Sequence, residues 1–173
     1  MAETPVGIRV PVRVRGRRVA QAILGLADAL AEAVRGARRE VIAVDEGMRE
    51  DAASWEQFFR SMIERGLRGV RLVVGDRCAG LVSTVNSMLP NAKYQRCMVR
   101  FMRNVLSKTP PSHREWASAA LKAIFARENR ESAMAKAGTV AGEMEERKLK
   151  AAANCLREGV GETTAYLLPS CWR

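Results

Sequence analysis

A short apolar segment that ends in a carboxylate constrains the fold more than any other part of the sequence. The run from Gly69 to Gly75 is rich in valine and leucine and leads directly into Asp76. An amphipathic pattern precedes this run, with apolar residues at helical spacing from Trp55 to Ile63, and helical spacing returns over residues 78–88. Alternating strands and helices of this kind are typical of layered folds, so we predict the α/β class.

Segments before this core predict further strands. Residues Ile8 to Val14 alternate between apolar and polar side chains, and Val19 to Leu24 can form the partner strand across a Gly16–Arg17 turn. Residues 27–37 have helical propensity, and Arg39 to Val44 predicts another strand.

The sequence after this core changes character near residue 97. Lys93 to Cys97 predicts one more short strand, whereas the apolar spacing from Met98 onward indicates helices interrupted at Pro110. We therefore predict two regions: 1–97 with a layered sheet and helices, and 98–173 as a mainly helical region.

Positive charge indicates a polyanionic partner. The chain has 29 Lys and Arg against 19 Asp and Glu, a formal net charge of +10. Between Lys93 and Arg130 there are nine basic and two acidic side chains, so most of the excess lies in one segment. We find no membrane span, signal peptide or CxxC spacing, and we expect free thiols in a reducing, cytoplasmic compartment.

Two candidate sites emerge, each with a plainer alternative. Asp76 stands where α/β sheets place catalytic groups, but it could equally be the N-cap of the helix that begins near Cys78. A basic row can track nucleic-acid phosphates or can simply be a solvated helix face. Its members are Arg96, Arg100, Arg103, Lys108 and Arg114. The single histidine, His113, has no partner by spacing and is interpreted as a surface residue.

Long stretches resemble the Mutator-type transposases of bacterial insertion sequences. The resemblance is carried by GMREDAASWEQFFRSMIERGLRGVRLVVGDRCAGL (Gly47 to Leu81) and by YQRCMVRFMRNVLSKTP (Tyr94 to Pro110). It continues more loosely through His113 to Ala126 and to the closing Trp172–Arg173. It covers roughly residues 38–173.

This resemblance implies an RNase H-like fold, in which a mixed sheet with flanking helices carries an Asp-Asp-Glu triad. Residues 1–97 would be a partial catalytic core of this fold, and 98–173 a helical insertion region truncated before the final catalytic glutamate. Such a triad binds two divalent ions, usually Mg²⁺ and also Mn²⁺, and cleaves and transfers DNA strands at element ends. Asp76 matches the second aspartate of the triad. Two Mg²⁺ ions about 4 Å apart need several carboxylates around a phosphodiester.

The sequence departs from the family pattern at several positions. The first aspartate is replaced by Ile8, and the final glutamate is expected beyond Trp172–Arg173. Arg100 replaces the histidine of a family Cys-x-x-His motif, which favours Cys97 as a packed thiol. Asp45, at the end of a predicted strand, is the best candidate for a substitute metal ligand, with a plain turn residue as the alternative.

We therefore expect a truncated transposase fragment that takes part in DNA transposition but is poorly active or inactive alone. Its expected partners are DNA and a second copy or a full-length transposase, in the nucleoid, without a membrane. The rival hypothesis is a non-catalytic DNA-binding remnant that interferes with a full-length transposase.

Overall fold

The computed structural model describes residues 6–9, 19–24, 40–46 and 51–168. These residues belong to two compact units, one ending at Gln95 and the other beginning at Arg96. The sequence placed this boundary after residue 97. More of the described residues lie in helices than in strands, and the first unit has the sheet that makes the fold compatible with the α/β class.

The first unit is built on a five-stranded mixed sheet with the order β3-β2-β1-β4-β5. The strands are Val6–Arg9 (β1), Val19–Leu24 (β2), Glu40–Glu46 (β3), Val70–Gly75 (β4) and Lys93–Arg96 (β5). The β1–β2 and β2–β3 pairs are antiparallel, and β1 runs parallel to β4.

The sheet confirms most of the predicted strands. The partner strand at Val19–Leu24 has the predicted bounds, and β3 and β4 coincide closely with their apolar segments. The first described strand is Val6–Arg9, which shares residues 8 and 9 with the predicted Ile8 to Val14, and residues 10–14 lie outside the described residues. The helical propensity over 27–37 also falls outside them.

Two amphipathic helices pack on β4. Helix α1 (Ala52–Glu64) begins where the Asp51 carboxylate accepts a hydrogen bond from the Ser54 amide, an N-cap that satisfies one of the free amides of the first turn. Helix α2 covers Ala79–Met88. Apolar residues from both helices form one core with β4 and with the loop after α2. The core residues are Trp55, Phe58, Phe59, Met62, Val70, Val73, Leu81, Val85 and Ala92.

The first turns of α1 and α2 touch through their backbones. A β-carbon at Gly80 would lie 2.8 Å from both the amide nitrogen of Ala52 and the carbonyl carbon of Asp51. The Thr84 hydroxyl donates to the Gly80 carbonyl at 2.8 Å and also lies 3.3 Å from the Ala52 carbonyl oxygen. Glycine at position 80 is therefore what permits this close approach.

The second unit is helical, as predicted from Met98 onward. Its helices are α3 (Met98–Ser107), α4 (Arg114–Phe125), α5 (Arg130–Glu146) and α6 (Lys150–Thr163), with short 3-10 turns at Pro111–His113 and Ala165–Leu167. Pro110 and Pro111 separate α3 from α4, since proline cannot continue a helix. No helix of the described residues is long and apolar enough to cross a membrane.

The helical unit has its own core, distinct from that of the sheet. All four helices contribute side chains with little or no exposure, including Phe101, Leu121, Val140, Met144 and Leu156. The Tyr166 hydroxyl donates to the Phe125 carbonyl at 3.0 Å, which joins the turn after α6 to the end of α4. Burial raises the pKa of the Tyr166 phenol.

Helix α6 approaches α3 closely at Gly159. A β-carbon there would lie 2.4 Å from Phe101 Cε2 and 2.7 Å from Arg96 Nη1. We predict that Gly159→Ala lowers the free energy of unfolding by about 1–3 kcal/mol, because both side chains must move. Urea unfolding of the purified chain measures this change.

A matched control lies in α5. Nothing stands within 4 Å of a β-carbon at Gly138, so Gly138→Ala should stabilise the chain by about 0.5–1 kcal/mol through helix propensity. Equal effects of the two substitutions would contradict the packing argument.

Candidate functional site

Asp76 follows the last residue of β4 and begins the turn into α2. Asp76 is half-buried, and its Oδ1 accepts a hydrogen bond from the Arg77 amide at 3.1 Å. Its own carbonyl accepts a second bond from the Cys78 amide at 2.8 Å. The carboxylate is thus placed by a hydrogen-bonded turn at the carboxyl end of a buried strand.

The N-cap interpretation of Asp76 is wrong. Helix α2 begins at Ala79 and its N-cap is Cys78, which makes no side-chain capping hydrogen bond. Asp76 lies two residues before that position, and its Oδ1 bonds the neighbouring Arg77 amide, outside the helix. Helix capping therefore does not explain the position of the Asp76 carboxylate.

Tyr94 contacts the Asp76 turn and was not identified from the sequence. It lies on β5, the strand beside β4, and its hydroxyl donates to the Asp76 carbonyl at 2.5 Å. Eighteen residues separate the two. The sequence signal that could have found it is an aromatic residue in a short strand predicted to follow α2.

Asp45, the predicted substitute metal ligand, lies elsewhere in the first unit. Asp45 is on β3, and β2 and β1 stand between β3 and β4. At about 4.8 Å per strand, β3 and β4 are separated by roughly 14 Å, so the sheet does not bring Asp45 beside Asp76. The Asp51 carboxylate serves α1 as its N-cap.

Position 8, where the resemblance places the first aspartate, lies on β1, the strand beside β4. Residue Ile8 is in register with Val73, which precedes Asp76 by three residues on the parallel strand β4. Isoleucine carries an alkyl group, which cannot ligate a metal ion.

The described residues do not fit a two-metal site. Within residues 6–9, 19–24, 40–46 and 51–168, no group of three or more His, Cys, Asp or Glu side chains lies close enough to hold a metal ion. Two divalent ions need several carboxylate oxygens. For this reason we derive no reaction step through a metal ion.

Arg96 does not belong to the predicted basic row on the helix. Helix α3 begins at Met98, so Arg96 is the last residue of β5 and is not on the helix with Arg100 and Arg103. It is 7% exposed, its guanidinium carbon lies 5.1 Å from the centre of the Phe101 ring, and its Nη1 is 3.9 Å from Glu162 Oε2. A buried guanidinium with these neighbours is placed to hold the helical unit together and not to meet phosphates.

The remaining basic candidates are accessible to solvent. Arg103 and Lys108 are exposed on α3 and at its end, and Arg100 is half-buried. Arg114, also exposed, begins α4 and donates from Nε to the Thr109 carbonyl at 3.1 Å. Accessible cations therefore remain from the first turn of α3 to the start of α4.

Cys97 and His113 carry no identified chemistry. Cys97 is a half-buried free thiol at the N-cap of α3. His113, which we predicted to be a surface residue, is the last residue of the 3-10 turn before α4 and is partly exposed. Neither belongs to a group of metal-ligating side chains among the described residues.

Comparisons with known proteins agree on one family. The family model described as transposase, Mutator family, matches residues 6–173. The transposase for insertion sequence element IS1081 of Mycobacterium tuberculosis is 37% identical over 98 residues, which are 57% of this chain and 24% of the relative.

Two further relatives match with similar strength. The transposase for element IS256 in transposon Tn4001 of Staphylococcus aureus is 37% identical over 87 residues, 50% of this chain and 22% of the relative. That for IS406 of Burkholderia multivorans is 31% identical over 116 residues, 66% of this chain and 29% of the relative. The matched segments thus span about a quarter of the length of these curated relatives.

The burial of Arg96 generates a stability prediction. We expect Arg96→Gln to lower the free energy of unfolding by about 1–3 kcal/mol, because a buried polar group loses its partners. Arg103→Gln, on the exposed side of α3, should change it by less than about 0.5 kcal/mol. Urea titration of both variants measures the difference, and equal values would show that Arg96 has no special packing role.

Proposed function

The chain belongs to the Mutator family of transposases, and from that premise we propose that it acts on DNA in the transposition of an insertion sequence. The match over residues 6–173 carries this proposal. Since the matched segments cover about a quarter of the curated relatives, the activity of a complete transposase is proposed and not transferred.

Charge supports DNA as the partner. The formal net charge is +10, and the segment from Lys93 to Arg130 has nine basic and two acidic side chains. Arg103, Lys108 and Arg114 in this segment are exposed. Cations at such positions can neutralise backbone phosphates without reading the base sequence.

For the chemistry, we propose metal-dependent strand cleavage and transfer on an RNase H-like core. The mixed sheet with α1 and α2 packed on β4 supports this fold assignment, and the position of Asp76 after β4 supports its role as the second triad aspartate. In a site with the complete triad, Mg²⁺ or Mn²⁺ would supply Lewis-acid chemistry, and Asp76 is the residue of this chain that would contribute to holding it.

We further propose that this chain is poorly active by itself. Asp76 supplies one carboxylate, position 8 carries isoleucine, and the described residues hold no group of three metal-ligating side chains. A second copy or a full-length transposase would be the partner through which the chain influences transposition.

The second candidate function is a DNA-binding remnant without catalysis that interferes with a full-length transposase. The alkyl side chain at Ile8, beside β4, favours it. The two functions differ in their dependence on Asp76: binding by a remnant is indifferent to Asp76→Asn, whereas cleavage requires the carboxylate.

DNA binding should depend steeply on salt. We expect the affinity for a short duplex, followed by fluorescence anisotropy, to fall as salt rises, and the double substitution Arg103→Gln with Lys108→Gln to lower the slope of log K against log salt by about 2. Lys148→Gln with Lys150→Gln removes the same charge from exposed positions outside the segment and is the control. If both pairs change the slope equally, the assignment to α3 fails.

Catalysis is tested with labelled duplex DNA and Mg²⁺ or Mn²⁺. We expect the purified chain to cleave DNA no faster than the Asp76→Asn variant, because two metal ions need more carboxylates than Asp76 provides. Calorimetric titration with Mn²⁺ should give the same heat of binding for the natural chain and for Asp76→Asn. Cleavage that depends on the metal and disappears in Asp76→Asn would show that the chain is an active nuclease.

A further inference from the structure

We infer that Tyr94 is a positioning residue for Asp76. Its hydroxyl holds the main chain at the end of β4, so that the carboxylate is presented from a fixed turn. The inference rests on the proposed function, since the placement matters for chemistry only if Asp76 acts on DNA. Nothing in the sequence pattern of the strands requires a hydroxyl at this position.

The contact is made to the backbone of Asp76 itself. The Asp76 carbonyl accepts one hydrogen bond from the Tyr94 hydroxyl at 2.5 Å and another from the Cys78 amide at 2.8 Å. A carbonyl oxygen has two lone pairs, so these two donors can use both. The peptide unit that follows Asp76 is therefore held from the sheet side by β5 and from the helix side by the turn into α2.

The Tyr94 ring lies close to Gly75 at the end of β4. A β-carbon at Gly75 would lie 3.5 Å from Tyr94 Cε2, an ordinary van der Waals contact, and 2.5 Å from Leu81 Cδ2, so the space left by the glycine is occupied by Leu81. Tyr94 also packs against the apolar core formed by α1, α2 and β4. Because its ring is packed against this core, the hydroxyl can constrain the turn at little entropic cost.

The same turn fixes the carboxylate. The Arg77 amide, which belongs to the peptide unit held by Tyr94, donates to Asp76 Oδ1 at 3.1 Å. A change in the orientation of that peptide therefore moves the donor to the carboxylate. Groups that take part in catalysis must be held to within about 0.5 Å, and supporting hydrogen bonds provide that precision.

The protein contains a matched control for this contact. It has two tyrosines, and Tyr166 likewise donates its hydroxyl to a main-chain carbonyl, that of Phe125, at 3.0 Å. Tyr94→Phe and Tyr166→Phe thus remove the same chemical group from the same kind of bond. Only the first removes it from the Asp76 turn.

The experiment uses the full chain labelled with ¹⁵N and ¹³C. We expect Tyr94→Phe to speed amide hydrogen exchange at Cys78 by about 3- to 10-fold, the effect of one lost hydrogen bond, and to shift the ¹³C resonance of the Asp76 carboxyl carbon. Tyr166→Phe should leave both unchanged. These readouts need neither DNA nor metal, so their failure is distinct from failure of the DNA-binding and cleavage tests.

Two results would overturn the inference. Unchanged exchange at Cys78 together with an unchanged Asp76 carboxyl resonance in Tyr94→Phe would mean that the hydroxyl does not constrain the turn. Loss of cooperative folding in Tyr94→Phe, with Tyr166→Phe still folded, would mean that the hydroxyl supports the whole unit and not the Asp76 turn.

Discussion

The backbone contact between the first turns of α1 and α2 is the constraint on which the first unit depends. Gly80 lets the start of α1 come within van der Waals distance of α2, and Thr84 bridges the same place with its hydroxyl. This contact determines how the two helices cover β4, because both bury their apolar faces on the same strand. Asp76 lies four residues before Gly80. The contact between Gly80 and α1 therefore also fixes the end of the turn that joins Asp76 to α2.

Much of the fold could be predicted because it depends on local periodicity. The apolar run ending at Gly75 and the apolar spacing of Trp55, Phe58 and Met62 each specify an element without reference to distant residues. The adjacency of position 8 to β4 is a long-range property, and the sequence implied it only through the family resemblance.

The errors at the candidate site have identifiable physical causes. Arg96, Arg100 and Arg103 have helical spacing, but spacing does not show where the helix begins, and Arg96 precedes α3. The N-cap preference of aspartate applies to Asp76 only if the helix starts at the next residues, whereas it starts at Ala79. The Tyr94 hydrogen bond spans two strands and has no local signature.

The ion pair between Arg96 and Glu162 also bears on the order in which the helical unit can fold. Arg96 is the first residue of this unit, Glu162 lies near the end of α6, and their side chains approach to 3.9 Å. A contact between residues so far apart in sequence must close a long loop, whereas helices that follow one another can pair locally. The packing of α6 on α3 therefore carries the largest loop-closure cost in this unit.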